Sequence, residues 1–359
     1  MSKIEWEIGT AFDLFISLSV LTNPGRYGLR PTWAAGVRSR LTTEDRGTIE
    51  QFQPFVRVPL AWLMNLEAEP KTALAALEAL AAIVPEERLA ALTVNSATPQ
   101  DVRTILLKPD ENRGWKAEEL AVVKAYYRKQ NILLKPAQME ALQNAWLEPA
   151  KFGERYLTAV THYYQVYFSE GEEHVREAQE QGLLTAQRMA EQMGTEQLLE
   201  ALSQGVQFEQ YFHDEDEPAP DFVLAPSYWS SPLIHTHRIG ANRVGIVFGC
   251  RDDNEGLVPG EVVPPMLVAR LKALSDPTRL RILRYLAQAP LTPSQLAKKL
   301  GLRPPTVIHH LNQLRLAGLV QIILLPEGKR RYAFRHEGAQ DAMQGTMQFI
   351  LAKDEKPNN

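Results

Sequence analysis

The sequence predicts a mainly α protein: a helical N-terminal domain with a small β element, followed by a C-terminal winged helix-turn-helix. Three observations predict it. Apolar residues recur at helix period from the N-terminus to about Ser203, composition then shifts at the acidic, proline-broken stretch His213–Asp221 into short β-like runs, and from Pro264 to Arg335 capping residues, prolines and glycines punctuate several short helices and a hairpin. At 359 residues the chain can hold two or three separate cores, and its 45% hydrophobic and 23% charged content is ordinary for a globular protein.

The helical part is expected over 1–205, as a sensor or dimerisation domain. Helix-period runs bounded by Pro, Gly or Asn occur at Ala11–Leu21, Leu60–Leu66, Lys71–Ile83, Pro99–Leu107, Trp115–Gln130 and Pro136–Leu147. Ala11–Leu21 is too short to span a membrane, contains Asp13 and follows acids rather than a basic region, so it is not read as a signal peptide. With no later stretch of spanning length and a single cysteine, Cys250, the expectation is a cytoplasmic protein with no membrane partner and no disulfide framework. Ala150–Phe168 carries Tyr156, Tyr163 and Tyr167 on one side and Leu157, Tyr164 and Phe168 on the other. That pattern fits a pocket for an aromatic or lipid-like small-molecule effector or, the reading we favour, a central helix buried all round. The Glu-rich Ser169–Gln181 reads as a solvated helix or turn, with helix resuming towards Met193. No fixed-period repeat is visible.

The β element is expected over 206–255, with strands at Phe222–Ala225, Ile234–Ile239 and Arg243–Gly249, packed with the N-terminal domain. His235 and His237 alternate on one strand face and are candidate metal ligands. Four-coordination needs companions, and no Cys, Asp or Glu is placed to supply them, so neither a metal nor a cofactor is expected. A linker, 256–264, lies within the acidic, Gly- and Pro-rich stretch Asp252–Pro265.

The last domain, 265–352, is the basic one. Between Pro264 and Arg335 there are thirteen Lys and Arg against two acids, Asp276 and Glu327, so this segment carries +11 while the whole chain is −4. A polyanion is the natural partner of such a segment. Asp276 before Pro277 starts a helix over 277–287 with Leu280, Ile282, Leu283 and Leu286 as its buried stripe. Thr292, Pro293 and Gln295 form a capping box that opens a second helix, which stops at Gly301. After a turn of about three residues the next helix, 304–317, ends before Gly318. On it Val307, Leu311 and Leu314 must face the core, whereas Thr306, His309, His310 and Gln313 share another face. The runs Leu319–Leu325 and Tyr332–Phe334 then read as a hairpin with Lys329, Arg330 and Arg331 at its tip, within a wing over 319–335.

The order LxALSDPTRLRILRYL, xLAxxLGL, TVxHHLxxLxxAGLV and a wing ending GKRRYAF resembles the winged helix-turn-helix of the ArsR family of bacterial transcription regulators. More loosely, FVLAPSYWSSP before the linker resembles the long, two-domain relatives in that family. The resemblance implies double-stranded DNA as partner, contacted by Arg303, Thr306, His309, His310, Gln313 and Arg315 and by the wing cations Lys329, Arg330 and Arg331. It also implies a homodimer, paired through the first and last helices of the domain. Residues Ala339, Met343, Met347 and Ile350 form an apolar stripe on a segment too short to bury it alone, with Leu267, Leu271 and Leu274 as a matching face. Two features depart from the family. Ile308 stands where Ser usually precedes the His pair, and the Cys motif of the metal-sensing branch is missing from PSQLAKKL.

The expected function is therefore a DNA-binding transcriptional regulator, acting as a repressor. The alternative is a winged-helix protein-interaction module contacting an acidic protein partner. No catalytic role is expected: the chain has no GxGxxG, GxxxxGK[ST], HExxH, GxSxG or CxxC, and His162, among tyrosines near Glu170 and Glu172, fits packing better than base catalysis.

Overall fold

A computed structural model describes residues 2–29, 31–108, 114–130, 132–203, 205–208, 211, 219–240, 242–252, 264–325 and 330–351. Helices dominate, with a few short strands and a C-terminal helix-turn-helix with its hairpin, as the sequence predicts. Contacts divide the chain into two units, one formed by 1–192 with 218–251, the other by 193–217 with 252–359. The segment 193–217, assigned from sequence to the helical and β parts, thus belongs to the same unit as the winged helix.

In the first unit a four-stranded sheet has the order β1 (Ile4–Trp6), β2 (Asp221–Ser227), β4 (Arg243–Gly249), β3 (His235–Gly240). The first three are parallel and β3 runs antiparallel to β4. Against it lies α1 (Thr10–Thr22), whose Phe12, Leu14, Phe15, Ile16 and Leu18 are all fully buried. A helix enclosed on every side must be apolar on every side, and its one charge needs internal partners.

That charge is Asp13, 0% exposed. Its carboxylate accepts from the Ser227 hydroxyl at 2.7 Å, the Trp229 backbone N–H at 2.7 Å, the Tyr228 N–H at 3.1 Å and the Gln179 side-chain amide at 2.6 Å. The loop that leaves β2 is thereby tied to α1. Burial nonetheless pushes the Asp13 carboxyl up to about 6, against the four hydrogen bonds that favour the ionised form.

The remaining helices of this unit are α2 (Pro31–Ser39), α3 (Thr43–Val56), α4 (Leu60–Met64), α5 (Ala73–Ala82), α6 (Pro85–Thr93), α7 (Gln100–Leu107), α8 (Ala117–Lys129), α9 (Pro136–Leu147), α10 (Pro149–Tyr163) and α11 (Ser169–Gln192). One π-helical turn, Tyr164–Phe168, joins the last two. In α10, Phe152, Tyr156 and Tyr163 are at most 2% exposed, so its aromatic face is core, but Lys151, Glu154 and Thr158 are exposed and the helix is not buried all round as expected. It approaches α6 so closely that a Cβ on Gly153 would lie 2.1 Å from the Pro85 carbonyl. Arg88 fastens the same corner, its guanidinium donating to the carbonyls of Leu80, Ala81, Ile83 and Gly153. The Leu80, Ala81 and Ile83 acceptors are C-terminal groups of α5 that no helical turn can satisfy, and Gly153 belongs to α10.

The histidines of this unit are engaged in packing. His237 Nε2 lies 2.7 Å from the Asn95 side-chain amide, and burial holds its pKa below the usual value. His235 stacks on Tyr27, and His162 Nδ1 lies 2.6 Å from Asp45. Among the described residues no three His, Cys, Asp or Glu side chains converge on a metal position. No helix of the described residues is long and apolar enough to cross a membrane.

The second unit begins with α12 (Thr195–Leu202) and continues with α13 (Pro265–Leu274), α14 (Pro277–Leu286), α15 (Pro293–Leu300), α16 (Pro304–Leu316), the hairpin β5 (Val320–Leu324) and β6 (Arg330–Phe334), and α17 (His336–Leu351). The capping signals act where the sequence places them. Asp276 accepts from the Arg279 N–H at 2.9 Å, Thr292 and Gln295 cap each other reciprocally, and Gly301 (φ 69°) and Gly318 (φ 67°) take the left-handed conformation that ends α15 and the turn after α16. The hairpin is covered on both edges. Leu291 bridges Tyr332 beside β6, with both backbone bonds at 2.9 Å. Beside β5, Gln207 donates to the Ile322 carbonyl at 2.9 Å and accepts from Leu324 at 3.0 Å, adding one parallel rung. Neighbouring Val206 and Phe208 are buried, and the Ser203 hydroxyl ties the turn before them.

One residue expected inside this unit is outside. Leu280 is 48% exposed, while Ile282, Leu283 and Leu286 of the same stripe are buried; of the face expected to match the apolar stripe of α17, Leu271 is 45% exposed and Leu267 is buried. The inward face of each short helix is narrower than its run of apolar residues.

Candidate nucleic-acid interface

Helices α15 and α16 join through Gly301–Arg303, and α16 packs against α13, α14, α15 and β5. Val307, Leu311 and Leu314 are 0% exposed, which fixes the rotation of α16. Opposite them on a helix of 3.6 residues per turn lie Pro305, His309 and Asn312, with Thr306 and Gln313 on one flank and Ile308 on the other. Arg303, Pro304, Pro305, Thr306, Ile308, His309 and Asn312 are exposed, whereas His310, Gln313 and Arg315 are half-buried. Of the residues expected to share a face, Thr306 and His309 are presented outward. His310 turns towards Asp276 and Arg279 at the head of α14, where burial depresses its pKa although the Asp276 carboxylate pulls it upward. Its Nδ1 is buried with no hydrogen-bond partner. Asn312 was not among the expected contacts, and projecting the sequence opposite its three buried residues would have found it.

The cations separate into two groups. Arg279 donates to the Ala273 and Lys272 carbonyls and so caps α13, Arg335 donates to the Gly318 carbonyl at 3.4 Å, and Arg270 lies 4.0 Å from Asp341. These three hold the unit together. Arg281, Arg284, Lys298, Lys299, Arg303, Arg330 and Arg331 are exposed, and among the described residues no acid neutralises them. Lys299 lies over the Tyr285 ring, a contact that steers the ammonium and leaves its charge in place. The wing contributes Arg330 and Arg331 at the start of β6; Lys329 lies outside the described residues. Asp276 is the one described acid between 264 and 335, and the Arg279 backbone N–H holds its carboxyl below the usual range.

Residues 276–321 match the model of the bacterial regulatory protein, arsR family. An 89-residue stretch is 43% identical to the HTH-type transcriptional regulator CmtR of Mycobacterium tuberculosis and of Mycobacterium bovis, covering 24% of this chain and 74% of each relative. The chain belongs to the ArsR family. No solved structure matches it. As an ArsR-family protein it is a DNA-binding transcriptional regulator, and the family match covers α14, α15 and α16 up to the start of β5. The likeness to the relatives covers about a quarter of the chain.

Proposed function

We propose that the protein represses transcription by binding duplex DNA as a two-fold dimer, with α16 in the major groove and the β5–β6 wing along the adjacent backbone. The observation that carries this reading is that seven cations on α14, α15, the turn before α16 and β6 are exposed and have no acidic partner among the described residues. Phosphates supply the charge that the protein withholds. In this reading Arg303, Thr306, His309 and Gln313 meet the duplex from α16, with His310 and Arg315 at the margin. Lys329, Arg330 and Arg331 meet phosphates from the wing.

The dimer rests on α17. Met343, Met347 and Ile350 are 65%, 56% and 67% exposed, and Leu271 of α13, the helix that packs on α17, is 45% exposed. An apolar surface of this kind on short helices favours a second copy, and two-fold pairing is the commonest solution. Two recognition helices would then enter successive major grooves, with half-site centres roughly 34–36 Å apart on an inverted repeat.

The test is selection of bound fragments from random duplex DNA by the full chain. Sedimentation of the wild type and of a Met343→Glu, Met347→Glu variant, with a reporter driven by the selected site, completes it. An enriched inverted repeat, a dimer that the double variant dissociates, and reporter output that falls when the protein is present are the expected results. Enrichment of no sequence at low salt would replace this reading with that of a protein-interaction module.

A further inference from the structure

Among the exposed α16 side chains, one is a β-branched aliphatic. Ile308 is 42% exposed; Pro304 and Pro305 lie one turn before it, His309 beside it and Asn312 one turn on. The other aliphatic residues along the helix, Val307, Leu311, Leu314 and Leu316, are at most 9% exposed, so the unit has a place for aliphatic side chains and Ile308 is not in it.

We propose that Ile308 is a specificity-determining residue that reads thymine through its 5-methyl group. The inference rests on the DNA reading above and goes further by naming the base. Along the floor of the major groove every base edge offers hydrogen-bond donors and acceptors, and thymine alone adds an apolar group. A polar residue can address the thymine O4 but gains nothing from the methyl; an isoleucine gains only from the methyl. Ile308 is suited to this in a second respect. As a β-branched residue in a helix it is held in one dominant χ1 rotamer, so its branches occupy a fixed position and lose little freedom on contact. His309 beside it and Asn312 one turn on can hydrogen-bond to base edges or phosphates, leaving the methyl to Ile308.

The experiment uses the full-length protein and the operator it selects from random duplexes. Each thymine of the half-site is replaced in turn by deoxyuridine, which removes the methyl and changes no hydrogen-bonding group. Wild type, Ile308→Ser and Ile308→Val are compared. The expected result is one thymine per half-site at which deoxyuridine weakens wild-type binding by about fourfold, the factor for one buried methyl-sized group. Ile308→Ser abolishes that discrimination, Ile308→Val retains most of it, and binding to random duplex is equal for all three. A flat deoxyuridine series, or discrimination by Ile308→Ser equal to wild type, overturns the assignment and leaves the DNA reading standing. Selection of no sequence by the wild type removes both.

Discussion

Asp13 in the first unit and the exposed cations in the second are charges under opposite terms. Asp13 is fully buried, and four internal donors are spent on it. Arg281, Arg284, Lys298, Arg303, Arg330 and Arg331 are exposed, and nothing described in the chain is spent on them. A charge removed from water costs several kcal/mol unless the protein supplies partners, so its place in the fold is structural. An exposed charge costs the fold almost nothing and is kept for whatever arrives from outside. The contrast also runs within the basic unit, where Arg270, Arg279 and Arg335 hold helix ends and turns while their neighbours are left free for a polyanion.

The widest separation between the two kinds of charge comes from removing them. Asp13→Ala leaves the Ser227 hydroxyl and two backbone N–H groups without their acceptor in the core, while the Gln179 amide keeps the Gly9 and Pro226 carbonyls, so thermal or denaturant unfolding should show a loss of about 3–5 kcal/mol. A loss below about 1 kcal/mol would mean that the loop after β2 finds other acceptors. Next in size is the pH dependence. The folded carboxyl titrates at about 6 against an ordinary 3.8, so the folded state holds the proton more tightly. Stability from this site is therefore fully present below pH 3.8 and is lost as pH rises through 6, by about 3 kcal/mol from 1.36 kcal/mol per unit. The unfolding free energy of wild type, measured relative to Asp13→Asn between these pH values, should fall accordingly; parallel curves would contradict it.

On the exposed side the effects are smaller and concern binding. His309→Ala should cost about 1–3 kcal/mol on the selected operator and little on random duplex, with folding unchanged. Arg330→Ala and Arg331→Ala should weaken all duplexes alike, each reducing the slope of log affinity against log salt by about 1. Equal losses on cognate and random DNA for His309→Ala would move the base-reading role elsewhere on α16. An unchanged salt slope for both wing variants would show that the wing does not touch phosphate.

Much of the second unit was legible because its signals are local. Asp276-Pro277, Thr292 with Gln295, Gly301 and Gly318 each act within four residues, and each acts in the structure as its chemistry dictates. The outward rotation of α16 was legible only in part. Three buried residues fix its inner face, but the half-burial of His310 and Gln313 depends on what lies beside that face, Asp276 and Arg279 in the case of His310, which no period along α16 reports. In the first unit, β1 is three residues long and α3 carries Pro54 in its interior, so neither shows a clean period. The anchoring of the β2 loop joins Asp13 to Ser227, Tyr228 and Trp229, and the sequence gives no local sign of a pairing over such a distance.

The single rung that Gln207 adds to β5 limits how this protein can be divided. Gln207 and Ile323 are more than a hundred residues apart, and between them the chain leaves the second unit to build β2, β3 and β4 of the first before it returns. A gene fragment that begins after Asp252 would encode every helix of the helix-turn-helix and still leave the Ile322 carbonyl and the Leu324 N–H open along one side of the hairpin, an edge on which another chain can pair. The DNA-binding half is thus woven into the rest rather than appended to it. Recombination that moved it as one uninterrupted block would carry off the helix-turn-helix and leave behind the strand that closes its wing.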